Sequence, residues 1–135
     1  MHIEINSKTI IKDIQKTFSD FYPFLKLEFY GKPHDKYELS DANDIIPSEM
    51  SLGELNAVNL PAVIHVRPLE KVREFEAELL QQYGLSVQIL KKEGDGWEQT
   101  TGMDDFTFKE VNEFGRSSSD EYIMSDEEDD LEETT

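Results

Sequence analysis

AVIHVRPLEKVREFEAELLQQYGLSVQILKKEGDGWEQTT, residues 62 to 101, is the stretch whose reading decides the fold. Ile64 and Val66 alternate with His65 and Arg67, the period of a strand with one buried face. Pro68 suits the first helical position, where its missing N–H has no intrahelical partner to lose. Leu69, Val72, Phe75, Leu79, Leu80 and Tyr83 then recur at three and four residues and draw an apolar stripe along a helix. Gly84 follows where a left-handed cap favours a residue without Cβ. Leu85, Val87 and Ile89 return to period two, and Glu93-Gly94-Asp95-Gly96 turns the chain into a further strand at 97–101. The order is strand, helix, strand, strand, with no catalytic or cofactor motif inside it.

Outward from that stretch, residues 2 to 30 read the same way. Ile3 and Ile5 alternate with polar neighbours, and Asn6 or Ser7 is placed to cap a helix. Ile10, Ile11, Ile14, Phe18, Phe21 and Tyr22 share one side of that helix, which Pro23 ends. Leu25, Leu27 and Phe29 then alternate with Lys26, Glu28 and Tyr30 as a second strand. Strand, amphipathic helix, strand therefore occurs twice, a repeat of architecture with little identity. The connection at 31–61 carries Pro33, Pro47, Pro61 and an Asp/Asn cluster. Within it Ser51 and Glu54 have capping-box spacing and predict a single turn of helix.

Two such units in tandem, with right-handed crossovers, predict an α+β fold of ferredoxin-like βαββαβ order, both helices on one face of a four-stranded antiparallel sheet. The strand at 97–101 extends the sheet beside the strand at 85–91. A short helix, Phe108 to Phe114, closes over the apolar margin and ends at Gly115. The competing architecture is a ubiquitin-like roll using residues 62–114 alone. Residues 1–115 are expected to form one domain, and 116–135 a disordered acidic tail too poor in apolar residues to order itself.

Charge narrows the partners. Residues 1–115 hold 12 Lys and Arg against 21 Asp and Glu, a net of −9, while residues 116–135 hold 1 against 9, a net of −8. An acidic domain with an acidic tail repels phosphate backbones, which argues against direct nucleic-acid or anionic-membrane binding. The chain has no cysteine, which removes disulfides, thiolate metal sites and Cys nucleophiles. MHIEINSKT lacks the basic and apolar regions of a secretory signal, and no apolar run approaches the length of a membrane span. The expectation is a soluble cytoplasmic protein.

The block VQILKKEGDGWEQTTGMDDFTFKEVNEFG, residues 87–115, resembles a family of small uncharacterised bacterial proteins. The resemblance lies in Val87-Gln88, Lys91-Lys92, Gly94, Trp97, Thr100-Thr101, Asp105, Thr107 and Asn112. It implies no activity, only that the hairpin and the last helix belong to the domain proper.

Candidate chemistry is sparse. His2, His34 and His65 are the imidazoles, and His2, Glu4, His65 and Arg67 are expected on one open sheet face. A metal or acid/base site from His2, Glu4 and His65 is weighed there against a solvated face with a Glu4–Arg67 cross-strand pair. No HxH or HxxxH spacing supports ligation, so no metal, cofactor or catalytic residue is assigned. GxSxG and phosphate-cradling glycine motifs are absent from the sequence. RNA-binding domains of this topology stack bases on central-strand aromatics, whereas the positions here are His2, Glu4, Asn6, His65 and Arg67.

Tyr30 is expected on the open face, and Trp97 either in the core under the last helix or as a partner anchor. The tail reads as a solubilising brush, an arm for a basic partner or a loose cation site, although SDEEDDLEE lacks EF-hand spacing. The leading expectation is a non-enzymatic acidic interaction module engaging a basic protein surface, mimicry of DNA phosphates being a special case. The alternative is a small ligand-binding or enzymatic domain using the open face. The binding residues expected are His65, Arg67, Tyr30, Glu4 and Trp97.

Overall fold

The computed structural model of the chain describes residues 1–31, 44–100, 102, 103 and 105–126, the last eight of them by backbone alone. Among these residues the elements run β1 His2–Ile5, α1 Ile11–Phe21, β2 Leu25–Tyr30, β3 Ala62–His65, α2 Val72–Tyr83, β4 Ser86–Glu93, β5 Gly96–Gln99 and α3 Phe108–Asp126. The fold is α+β, with two antiparallel sheets.

β1 and β3 lie side by side as the alternation of their apolar residues predicts, with His2 opposite His65, Ile3 opposite Ile64 and Glu4 opposite Val63. The expected single four-stranded sheet is not what the strands form. β2 pairs with β4, Leu27 opposite Ile89, and β4 pairs with β5, Lys92 opposite Trp97. A ferredoxin-like sheet instead sets β2 beside β3 and β4 beside β1. Each strand–helix–strand unit is thus split, its first strand in one sheet and its second in the other.

The split has an order to it. Ile11 and Val72, Ile14 and Phe75, Phe18 and Leu79, and Tyr22 and Tyr83 are each 61 positions apart, and all eight are buried. Before each helix the chain makes the same turn, Thr9 N–H to Asn6 C=O at 3.1 Å and Glu70 N–H to Arg67 C=O at 3.0 Å. The first helical amide of each is then bonded from outside the helix. Ile11 N–H donates to Met50 C=O at 2.9 Å, and Val72 N–H to Phe106 C=O at 3.0 Å. Leu52 N–H donates to Thr9 C=O and Phe108 N–H to Glu70 C=O; Gly53 N–H donates to Ser7 C=O and Lys109 N–H to Pro68 C=O.

Both clamping segments carry a capping box. Ser51 and Glu54 bond reciprocally, as the spacing predicts, and so do Thr107 and Glu110. Two equivalent halves therefore pack about a pseudo-twofold, equivalent strand against equivalent strand, as subunits do across an isologous interface.

This arrangement corrects several local expectations. Asn6 and Ser7 do not cap α1, whose N-cap is Ile10, because Met50 and Ser48 carbonyls already take its first amides. Pro68 sits in the turn before α2, not at its first position, and Leu69 is 76% exposed. Gly84 does end α2 in the left-handed region, at φ 70°.

Gly115 does not end α3. The helix continues through it to Asp126, and a Cβ there would lie 2.7 Å from Phe24 C=O and 3.3 Å from Lys92 N. The glycine answers a close backbone approach and is not a stop signal. Residues 116–126, expected within the disordered tail, continue that helix. The expected disordered tail falls otherwise on 127–135, outside the described residues.

Candidate functional site

The β1–β3 ribbon buries Ile3, Ile5 and Ile64 and exposes His2, Glu4, Val63 and His65 on its other side. The His2 and His65 rings face each other across the strands, centroids 6.3 Å apart and tilted by 48°. Glu4 stands opposite Val63, and Arg67 lies beyond the end of β3, so the expected Glu4–Arg67 pairing does not arise from the register. Among the described residues no three His, Asp or Glu side chains are grouped to hold a metal ion.

Tyr30 is not on this face. Bridged to Ile45 on one side and paired with Ser86 on the other, it is 4% exposed, and burial followed by the Glu28 charge raises its hydroxyl pKa. Trp97 shows the opposite correction. Set on β5 away from the core, it is 40% exposed, with Lys92 Nζ 5.2 Å from the ring centroid. Such a contact contributes about 0.5–1 kcal/mol at an exposed site.

On the opposite face of the hairpin from the indole, Lys91 is buried and extends its amine to Glu93, and to Glu98 at 3.4 Å. Burial works against its charge, but the two carboxylates outweigh that cost and its pKa is raised. The indole thus stands against the Lys92 cation, while the Lys91, Glu93 and Glu98 charges occupy the other face of the hairpin.

α3 is seated against this hairpin and the residue before β2 by three contacts that sequence reading missed. Asn112 Oδ1 accepts the Phe24 N–H at 3.3 Å, Gly115 lets the helix approach Phe24 and Lys92, and Ser118 Oγ accepts the Gly94 N–H at 3.3 Å. At its start Phe108 stacks on Tyr22, ring centroids 5.8 Å apart, and meets Phe75 edge-on at 5.2 Å. The only advance signal was the run of aromatic residues in 106–114.

Two buried polar clusters are structural in their contacts. Glu76 accepts the Ile89 N–H at 3.2 Å, and Thr100 Oγ1 donates to Ile89 C=O at 2.8 Å, capping the part of β4 that outruns β5. Glu70 and Tyr22 form the second. Burial pushes the Glu70 carboxyl up, an Arg67 backbone hydrogen bond partly offsets this, and burial with the Glu70 charge raises Tyr22. Glu70 Oε1 and the Tyr22 hydroxyl are buried without a hydrogen-bond partner among the described residues.

Comparison of the chain with protein-family models, curated proteins and solved structures returned no match. Among the described residues no helix is long and apolar enough to cross a membrane.

Proposed function

We propose that this protein is a non-enzymatic interaction module, cytoplasmic in setting, whose C-terminal acidic run engages a basic protein surface. The observation that carries the reading is the seat of α3. Asn112, Gly115 and Ser118 fix the helix against the β2 and β4 ends, and from Ser118 onward the sequence holds nine acidic residues and no basic one. A run of negative charge tethered to a folded domain speeds encounter with an oppositely charged partner. Trp97, exposed on β5, supplies the kind of aromatic anchor on which interfaces concentrate their energy.

The test uses the whole chain and a chain ending at Ser119 as bait. Basic proteins retained at low salt, released at high salt and lost with the truncation are the expected result. Retention that survives high salt, or that the truncated chain keeps in full, overturns the reading.

The rival reading, a small ligand-binding or enzymatic domain on the ribbon face, has the facing His2 and His65 rings in its favour. Among the described residues it lacks a buried acid or base nearby, since Glu4 and Arg67 are solvent-exposed and Tyr30 lies elsewhere. Titration of His65 by NMR distinguishes the two: a ligand-dependent shift supports the rival, and a freely solvated imidazole removes its support.

A further inference from the structure

The strand edges of this molecule are treated unequally. On the outer edge of β2 every outward carbonyl has a donor: Ser19 Oγ reaches Leu25 C=O at 3.1 Å, Gln15 Nε2 reaches Leu27 C=O at 2.8 Å, and Ile46 N–H reaches Phe29 C=O at 2.9 Å. Covering an edge in this way keeps other chains from pairing with it. The ribbon is different. Val66 N–H donates to Met1 C=O at 2.9 Å, and the Met1 ammonium donates to Val66 C=O at 3.3 Å. Alternation then turns the N–H and C=O of Ile3 and Ile5 towards β3 and those of His2 and Glu4 away from it. Among the described residues nothing bonds those outward groups of His2 and Glu4.

We propose that this edge of β1 pairs with the same edge of a second copy, giving an isologous dimer with a continuous β3-β1-β1-β3 antiparallel sheet. A twofold axis through Ile3 sets His2 of each copy opposite Glu4 of the other. Both hydrogen-bonded pairs are then satisfied, and unlike groups face each other on the exposed side. The equivalent edge of β3 offers no such complementarity, because it brings Val63 against His65. Closure about the axis consumes both β1 edges, so assembly stops at two copies and does not run on into a filament. Within one chain β1 and β3 already pair as equivalent strands, and the dimer repeats that contact on the other side of β1.

This proposal stands apart from the acidic module, and salt separates them. Two copies at a formal −17 each repel, so added salt strengthens the dimer, whereas it weakens attraction to a basic partner. Sedimentation equilibrium of the whole chain, at low and high salt, is expected to show a monomer–dimer equilibrium that shifts to dimer as salt rises. Glu4→Pro removes an N–H that β3 does not use, and it is expected to leave a folded monomer by circular dichroism. His2→Glu sets like charges in both cross-strand pairs and weakens the dimer about tenfold. Exchanging the two residues, His2→Glu with Glu4→His, restores it. A monomer at every concentration and salt overturns the proposal. A dimer that Glu4→Pro leaves intact, or that the exchanged variant fails to restore, overturns it equally.

Discussion

In the first half of the chain the segment that clamps the helix N-terminus is a single turn around Ser51–Glu54, and the side chain it inserts is Leu52. In the second half the clamp is the start of a 19-residue helix, and the inserted side chain is Phe108, in ring contact with Phe18, Tyr22 and Phe75. Three of the hydrogen bonds that join clamp to helix recur in both. What differs is what the clamp goes on to do: the first half folds back through Ala57 to β3, while the second continues as α3 past the β4–β5 turn, where Ser118 meets Gly94. A shared frame thus does the folding, and the addition to one half holds the candidate interaction surface.

If the aromatic clamp is the stronger, truncating it has the largest effect. Phe108→Ala is expected to cost about 3–5 kcal/mol and Leu52→Ala to fall nearer the lower end of about 2–5 kcal/mol. Chemical denaturation of both variants measures this, and a larger loss from Leu52→Ala breaks the comparison. Next come the close approaches. Gly115→Ala places a Cβ 2.7 Å from Phe24 C=O, and Gly53→Ala one 2.8 Å from Ser7 C=O. Overpacking of about 1–3 kcal/mol exceeds the roughly 1 kcal/mol that alanine gains in an open helix. Both variants are therefore destabilised in thermal melts, and a stabilised Gly115→Ala contradicts the seat of α3.

The capping boxes are the matched control. Ser51→Ala and Thr107→Ala each lose a cap worth about 1 kcal/mol, so their thermal shifts should be alike. A Thr107→Ala shift several times that of Ser51→Ala means the two clamps are not equivalent.

The smallest effect concerns Glu70, which stands where the first half has Thr9. Its folded-state pKa is raised by burial, so the folded chain holds this proton more tightly than the unfolded chain. That contribution is complete below the ordinary carboxylate range and is lost as pH rises through the raised value. Glu70→Gln is thus expected to match the parent near the pH of an ordinary carboxylate, about 4, and to be the more stable at neutral pH. A difference that stays flat across this range contradicts the burial argument.

Much of the frame was legible because local rules fix it. Alternation located β1, β2, β3 and β4, helical periodicity located α1 and α2, and Gly84 marked its helix end. Pairing was not legible, because the same alternation suits a strand in one sheet of four or in two smaller sheets. Gly115 misled for a similar reason. A glycine after an apolar periodic run resembles a helix stop, and only the position of Phe24, 91 residues earlier, shows the other cause. Tyr30 was placed outward by period two, whereas Ile45 comes back across the end of β2 and covers it. Of the candidate site, His2, Glu4, His65 and Arg67 are exposed as the strand period requires. The seat of α3 rests on contacts between distant segments that no local pattern encodes.

Strand pairing bears on everything above, and NMR reads it directly. In non-hydrogen-bonded antiparallel pairs the facing α-protons are close. Pairing of equivalent strands predicts α-proton cross-peaks between Glu4 and Val63 and between Leu27 and Ile89, with none joining β2 to β3. Cross-peaks linking β2 with β3 and β4 with β1, the pattern of one ferredoxin-like sheet, would contradict it.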